Sequence, residues 1–492
     1  MFGHGQVMEN PKDGLFLFGP LSDPRRPTEL RIGVVGRHRG LECYRRWVER
    51  INGYIPAAKE DAAHHAAYPG FETIFGCKWP TSPICSLAIS PEAIHESLYR
   101  TNKHDAIFKT VGLFVGAIER YLREEEAHVD LWFVVIPEEI YTHGRSKSVI
   151  PKALCQTSSL NMTLRKAKTL QKWPSLFDED NEAAEIYKYE DHFHNQLKAR
   201  LLEHKTVVQV TRETSLVPED FYQDGQPTRH LQDPASVAWN LTTTAYFKAS
   251  GKPWMLADVR EGVCYVGLVF KRDMTSLISG NACCGAQMFL DSGDGLVFKG
   301  AVGPWYSEST KEFHLTKEKA AELTRMVIDT YHREHGSPPK ELFIHGRTRF
   351  NDEEWKGFQS GSPLETSIVG VRIRDDNAFK LYSLGLQPVL RGTAFLQSKR
   401  KGYLWTRGYI PRLQTYPGRE VPKPLSIEVC RGNADLKQVM ADIMGLTKVN
   451  FNACIYADGV PVTLRFADLV GEILTATPTA QDLPPLPFKH YI

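Results

Sequence analysis

The sequence has almost no net charge. Its 60 Lys and Arg stand against 58 Asp and Glu, leaving +2 over 492 residues. No basic tail advertises a polyanion, so such a partner would have to be met by cations that converge only in the fold. Paired cysteines are missing too. Nine cysteines are present without CxxC spacing, and Cys283 and Cys284 are adjacent. That argues against a disulfide framework or a zinc ribbon and fits reduced thiols in a cytosol. Long apolar runs are absent. The first residues, MFGHGQVMENPKDG, hold no apolar signal core, and no stretch is long enough to cross a bilayer. A cytoplasmic protein with no membrane partner is expected. His314, His332 and His335 show no metal-ligand spacing such as HExxH. Internal repeats and low-complexity segments are also lacking.

What is present is a chain for two domains or more, 42% hydrophobic and 24% charged, as in ordinary globular proteins. An irregular arm is expected over 1–28, one domain over 29–235 and a second over 236–492. In the first domain, short apolar runs at Arg31–Gly36, Cys85–Ser90, Val129–Ile136 and Thr206–Thr211 read as strands. Helices are expected at Leu41–Ile51, Asp105–Arg123 and Glu182–Glu203. This rhythm predicts a parallel α/β layer whose ligands sit at the carboxyl ends of the strands. Gly33, Gly36 and Gly40 do not have GxGxxG spacing, so a strand-to-helix turn outweighs a dinucleotide loop. The second domain should run through strands near Val263–Phe270, Ala286–Leu290, Gly295–Lys299, Glu341–His345, Ser367–Arg374 and Leu381–Leu390. Helices are expected at Thr316–His335, Asn433–Met444 and Leu464–Leu474.

His194 and Lys198 stand at i, i+4 on one predicted helix and so share a face. Gln209 lies on the next strand, and Lys248 on the helix that opens the second half. A terminal phosphate needs cations and a polar donor converging from separate elements. Taken alone, His-x-x-x-Lys is weak, since most such pairs are surface polar residues. Arg165, Lys166, Lys168 and Lys172 form a charge cluster of the kind that is usually a solvated face. Arg372, Arg374, Lys399, Arg400, Lys401 and Arg407 are spread over strand and loop as a backbone-tracking groove needs, and a plain basic face accounts for them nearly as well.

Several segments in order resemble the MID-to-PIWI region of prokaryotic Argonautes. They are LKARLLEHKTVVQVTRETS, DPASVAWNLTTTAYFKASGKPW, GKPWMLADVREGVCYVGLVFK, SGNACCGAQMFLDSGDGLVFKGAVGPWY, ELFIHGRTRF, RGNADLKQVMADIMGLTKVNFNA and GVPVTLRFADLV. The resemblance is clear from about Asp233 onward and thinner before it. It implies an α/β protein with a Rossmann-like MID domain followed by an RNase H-like PIWI domain. With MID-like strands beginning near Arg31, it is similar to the short form without N and PAZ domains. By motif position, His194, Lys198, Gln209 and Lys248 match the family's pocket for a guide 5′ phosphate. The resemblance allows Mg2+ at that phosphate, with the terminal carboxylate of Ile492 as a possible ligand, and no organic cofactor.

PIWI nucleases hold two metal ions with a tetrad of mainly carboxylates. At the tetrad positions this sequence has Leu268, Arg347 (beside Gly346) and Asp468. An apolar and a basic group there imply no slicing activity. The alternative is an active guide-directed endonuclease that uses Asp291 or Asp294 with Asp468, although DSGDG reads better as a turn. A structural or small-ligand α/β module without nucleic acid is the third reading. The short-form resemblance implies a guide RNA, a complementary single-stranded DNA target and a partner effector with an APAZ domain. That effector would carry a TIR, sirtuin-like or nuclease module, in a heterodimer that oligomerises on activation. The implied role is abortive antiviral defence, through NAD depletion for the first two modules.

Overall fold

A computed structural model describes the chain except residues 25, 60, 61, 159, 259, 273–281, 290–294, 304, 308–310, 417 and 479–485. At 272, 282–287, 289, 295–302, 307, 467 and 468 only the backbone is described. Four short strands make the first sheet: β1 (Ile32–Gly36), β2 (Cys85–Ala88), β3 (Leu131–Ile136) and β4 (Val208–Arg212). Their order is β2-β1-β3-β4, with every neighbouring pair parallel. β3 is buried along its whole length, which explains its uninterrupted apolar reading. Its alternate residues enter two cores. Leu131, Phe133 and Val135 pack with α2 (His38–Ile51), while Trp132, Val134 and Ile136 pack with α3 (Lys103–Glu124). Gly36 closes β1 against β3: a Cβ there would lie 2.6 Å from the Val135 carbonyl oxygen. The glycines at the β1–α2 turn thus serve strand and helix packing.

The second sheet has nine strands among the described residues. They are β5 (Val263–Arg272), β6 (Ala282–Phe289), β7 (Gly295–Gly303), β8 (Glu341–Gly346), β9 (Ser367–Asp375), β10 (Ala394–Leu396), β11 (Lys401–Leu404), β12 (Leu425–Arg431) and β13 (Leu486–Pro487). Their order is β10-β11-β12-β9-β8-β5-β6-β7-β13. β8 runs parallel to both β5 and β9, and the other pairings are antiparallel. One edge is finished by Leu486 and Pro487, the latter without an N–H to offer. At the other edge lies β10, paired on one side only, with β11.

The N-terminal segment lies over this second half. The Met1 ammonium donates to the Met255 carbonyl at 2.6 Å, and the Tyr456 hydroxyl to Glu9 Oε2 at 3.0 Å. Asp13, on α1 (Pro11–Phe18), receives Arg412 at 2.7 Å.

Two expectations are corrected. Glu182–Glu203 is not one helix. Beyond α4 (Glu138–His143) and α5 (Leu164–Lys172), which carries the basic cluster, come α6 (Asp178–Glu185) and then α7 (Phe193–Leu202). His192 is extended and starts α7 afresh. Residues 381–390 form no strand. Only Leu390 bridges, to Tyr409, because no neighbouring strand is available to the rest.

The halves meet on α8 (Pro234–Lys248), whose N-terminus is capped by Asp233 accepting from Ser236 N. α8 buries its rings in the first core. Trp239 meets Tyr68 edge-on at 5.3 Å and donates from Nε1 to the Ala67 carbonyl at 3.0 Å; Tyr246 stacks on Phe75 at 4.6 Å. Full burial of each such side chain contributes about 1.5–3 kcal/mol. One apolar cluster therefore contains residues of both sheets, which fixes the C-terminal end of α8 beside β4.

Candidate nucleic-acid interface

That junction brings the four sequence-selected polar residues together. α7 carries His194 and Lys198 on one face. Lys248, at the end of α8, donates from Nζ to Gln209 Oε1 at 2.8 Å and to the Val208 carbonyl at 2.9 Å. Lys198 Nζ donates to the Tyr491 carbonyl at 3.3 Å. Both lysines are buried, and so is Ile492, which follows Tyr491 in sequence. Burial pushes the Lys198 ammonium down to about 7. Burial and then the neighbouring Lys198 hold Lys248 well below the ordinary lysine range. The same two causes hold His194 well below its usual value. Among the described residues these groups have no counter-ion: their partners are carbonyl and amide oxygens. They are basic groups that have given up water and received only dipoles, an arrangement in which an incoming anion would favour their charged forms.

The C-terminal tail adds residues that sequence reasoning missed. His490 is buried, its Nδ1 has no partner, and burial pushes it down to about 4, with Lys489 and Lys248 contributing. Nothing local in LPFKHYI signals this, because the contact is with α8.

Beside the cluster opens a cavity of about 680 Å3, at the carboxyl ends of β3 and β4, lined by His194 together with Tyr141, Arg145, Arg212, Arg229 and Asn240. The position obeys the rule for open parallel sheets. Arg145 and Arg212 flank the Tyr141 ring at 3.9 and 3.6 Å from its centroid. Arg212 also pairs with Glu138 at 3.0 Å. Thr211, at the end of β4, presents a buried hydroxyl without a partner. Asn240 accepts the Cys454 N–H at 2.9 Å, which joins the loop after LTKVNFN to this wall. The cavity has room for a nucleotide-sized group with its negative charge toward the arginines and His194, while the Tyr141 ring is already covered by Arg145 and Arg212. The i, i+4 spacing of Tyr141 and Arg145 was the one signal available in the sequence. Arg212 and Arg229 come from other segments.

The side chains of the cluster alone do not fit a resident divalent cation. They are two amines, two imidazoles and an amide, and Glu190 reaches them only through Asn195, at 3.1 Å. The negative charge would have to come from a ligand or from the terminal carboxylate of Ile492, at the end of the buried tail.

The second sheet has a different centre. Leu268 on β5 is buried among Val266, Met288 and Ile344. Its neighbour Gly267 touches Thr463, whose carbonyl oxygen would be 1.8 Å from a Cβ. His345 on β8, in register with Gly267, is buried with Nδ1 3.0 Å from Thr463 Oγ1, and burial pushes it down to about 3. Arg347 follows β8, and Asp468 lies in α9 (Ala467–Leu474), which packs on β5. Asp291 and Asp294 lie outside the described residues, as does the side chain of Asp468. Among the described residues no three His, Cys, Asp or Glu side chains gather as a metal site. Of the basic residues proposed for a groove, Arg372 pairs with Glu428 at 3.1 Å and Arg400 donates to the Val429 and Gly432 carbonyls, whereas Arg374 and Lys399 are exposed. No described helix is long and apolar enough to cross a membrane.

No protein-family model and no curated protein matches the sequence. Solved structures do. The Argonaute of Clostridium butyricum, bound to a guide DNA and a 19-mer target DNA, is 15% identical, with TM-score 0.60; the match covers 98% of this chain and 52% of that one. Drosophila Piwi is 12% identical, with TM-score 0.57, over 100% of this chain and 55% of its own. The Argonaute of A. aeolicus is 13% identical, with TM-score 0.51, over 98% and 52%. The chain thus spans about half the length of the solved structures it matches. The parallel sheet followed by the mixed nine-stranded sheet is therefore the fold of the MID and PIWI portions of Argonaute and Piwi proteins.

Proposed function

We propose that the chain binds a short guide strand and anchors its 5′ phosphate with His194, Lys198, Gln209 and Lys248. The carrying observation is the convergence of two buried lysines without counter-ions beside a cavity rimmed by arginines and Tyr141. On binding, the phosphate oxygens replace the carbonyl partners of the lysines, and the 5′ nucleotide enters the cavity beside Arg145 and Arg212. Mg2+ would enter together with the phosphate.

The guide is RNA in this reading and the target is complementary single-stranded DNA, read by base pairing while the protein holds the duplex by its backbone. Leu268 and Arg347 at the tetrad positions support a protein of the short prokaryotic type that does not slice. Its output then comes from an APAZ-containing effector of TIR, sirtuin-like or nuclease type, in a cytoplasmic heterodimer that oligomerises on activation and serves abortive antiviral defence. For that, the guide–target duplex has to bind the active assembly more tightly than the idle one.

The test is binding of one short RNA, with a 5′ phosphate and with a 5′ hydroxyl, followed by fluorescence anisotropy. The phosphate form is expected to bind at least about tenfold tighter, the effect of one charge-assisted bond. Equal affinity would remove the pocket assignment.

A further inference from the structure

The open edge of the second sheet is built to receive another strand. β10 exposes Ala394, Phe395 and Leu396, and among the described residues it pairs only with β11. Just before it, residues 380–388 alternate apolar and small or polar side chains, KLYSLGLQP, the pattern of a half-buried strand. Among the described residues no backbone N–H from 380 to 388 donates to another backbone group. Leu384 and Leu386 are fully exposed, and Tyr382 is 68% exposed. Behind them Phe379 gathers Phe395, Tyr403 and Trp405 within 5.6 Å, so the segment stands on a packed aromatic base. The opposite edge, by contrast, is closed by Leu486 and Pro487. An exposed edge with apolar side chains and free amides pairs with another chain unless something blocks it.

Charge identifies the occupant. Residues 377–401 hold five cations, Lys380, Arg391, Lys399, Arg400 and Lys401, and no acid. Arg391 and Arg400 bond inward to carbonyls, which leaves Lys380 and Lys399 exposed beside the apolar residues. A second copy of the chain would set these cations against themselves. A nucleic acid strand would find aliphatic Leu384 and Leu386 where it needs ring faces. We infer that residues 380–396 are the docking edge for a partner protein, which adds a β-strand alternating apolar and acidic residues beside β10. This goes beyond guide binding and does not depend on it, since the edge shares no residue with the phosphate pocket.

Hydrogen exchange of the full chain tests it, using two synthetic decapeptide probes, one alternating Val and Glu and the other alternating Val and Lys. With the Val–Glu probe, exchange of the 380–396 amides is expected to slow about tenfold, and the protection should weaken with salt. Leu384→Ser with Leu386→Ser should abolish that protection while leaving Tm and the affinity for 5′-phosphorylated RNA unchanged. Three results would overturn the inference. They are no protection by the Val–Glu probe, equal protection by the Val–Lys probe, or protection of the segment by self-association or by single-stranded DNA instead. Loss of RNA affinity in Lys198 variants with edge protection intact would be a separate result about the pocket.

Discussion

The junction on α8 and the centre of the second sheet treat charge in opposite ways. At the junction, Lys198 and Lys248 are buried without counter-ions, and His194 joins them. At the centre, Leu268 fills the strand and the nearby titratable group, His345, is held neutral by burial against Thr463. Desolvated basic groups are costly to charge, and three of them converging suit an anion that would charge them. An apolar strand centre contributes to stability directly and offers a metal nothing. The two regions illustrate how stored electrostatic cost, more than residue type, marks a working site.

The comparison breaks most visibly with Lys198→Ala and Lys248→Ala combined. Each charge-assisted bond to phosphate contributes roughly 1.5–3 kcal/mol, so the pair should weaken 5′-phosphorylated RNA binding by about 10²–10⁴-fold. The hydroxyl form should lose far less, and titration with both RNAs checks this. Removing two desolvated charges should leave the unliganded melting temperature intact or raise it.

Leu268→Asp sharpens the other side. A carboxylate among Val266, Met288 and Ile344 should cost about 3–5 kcal/mol of stability, read by denaturant unfolding. It should not create metal-dependent cleavage of a labelled target, because one ligand does not make a two-metal site. Robust cleavage by this variant would mean that the other ligands already stand in place.

The smallest effect is a pH dependence. Burial holds Lys198 near 7 in the folded chain, against an ordinary lysine value of 10.5. Between these the unfolded chain holds the extra proton, so stability without guide should rise with pH from about 7 to about 10.5. Phosphate favours the charged lysine, so binding takes up a proton in that window. Affinity for the 5′-phosphorylated RNA should fall as pH rises above 7, by at most about tenfold per unit for one lysine. A flat profile from pH 7 to 9 would mean that Lys198 is charged before the phosphate arrives.

The strands at Leu131–Ile136, Val263–Arg272 and Glu341–Gly346 were legible because buried strands read as apolar runs. Residues 381–390 misled for the same reason. Alternation specifies a face, and it takes a neighbour to make a strand. The break before Phe193 was missed because His192 is no strong helix stop. In the pocket, His194 and Lys198 are a helical pair and visible as one. Gln209 and Lys248 were found only through resemblance, since their meeting depends on how α8 packs on the first sheet. Arg145, Arg212 and Arg229 were missed altogether. Each lies in a different local setting, and only the cavity relates them.

The Lys198–Tyr491 contact joins residues 293 positions apart, and the Arg412–Asp13 pair joins residues 399 apart. Such distant contacts form late in folding. During synthesis the lysines, Gln209 and the cavity walls emerge well before His490 and Tyr491 do. The cluster is therefore assembled from parts of the chain made at different times, and it is complete only once His490 and Tyr491 have emerged and docked.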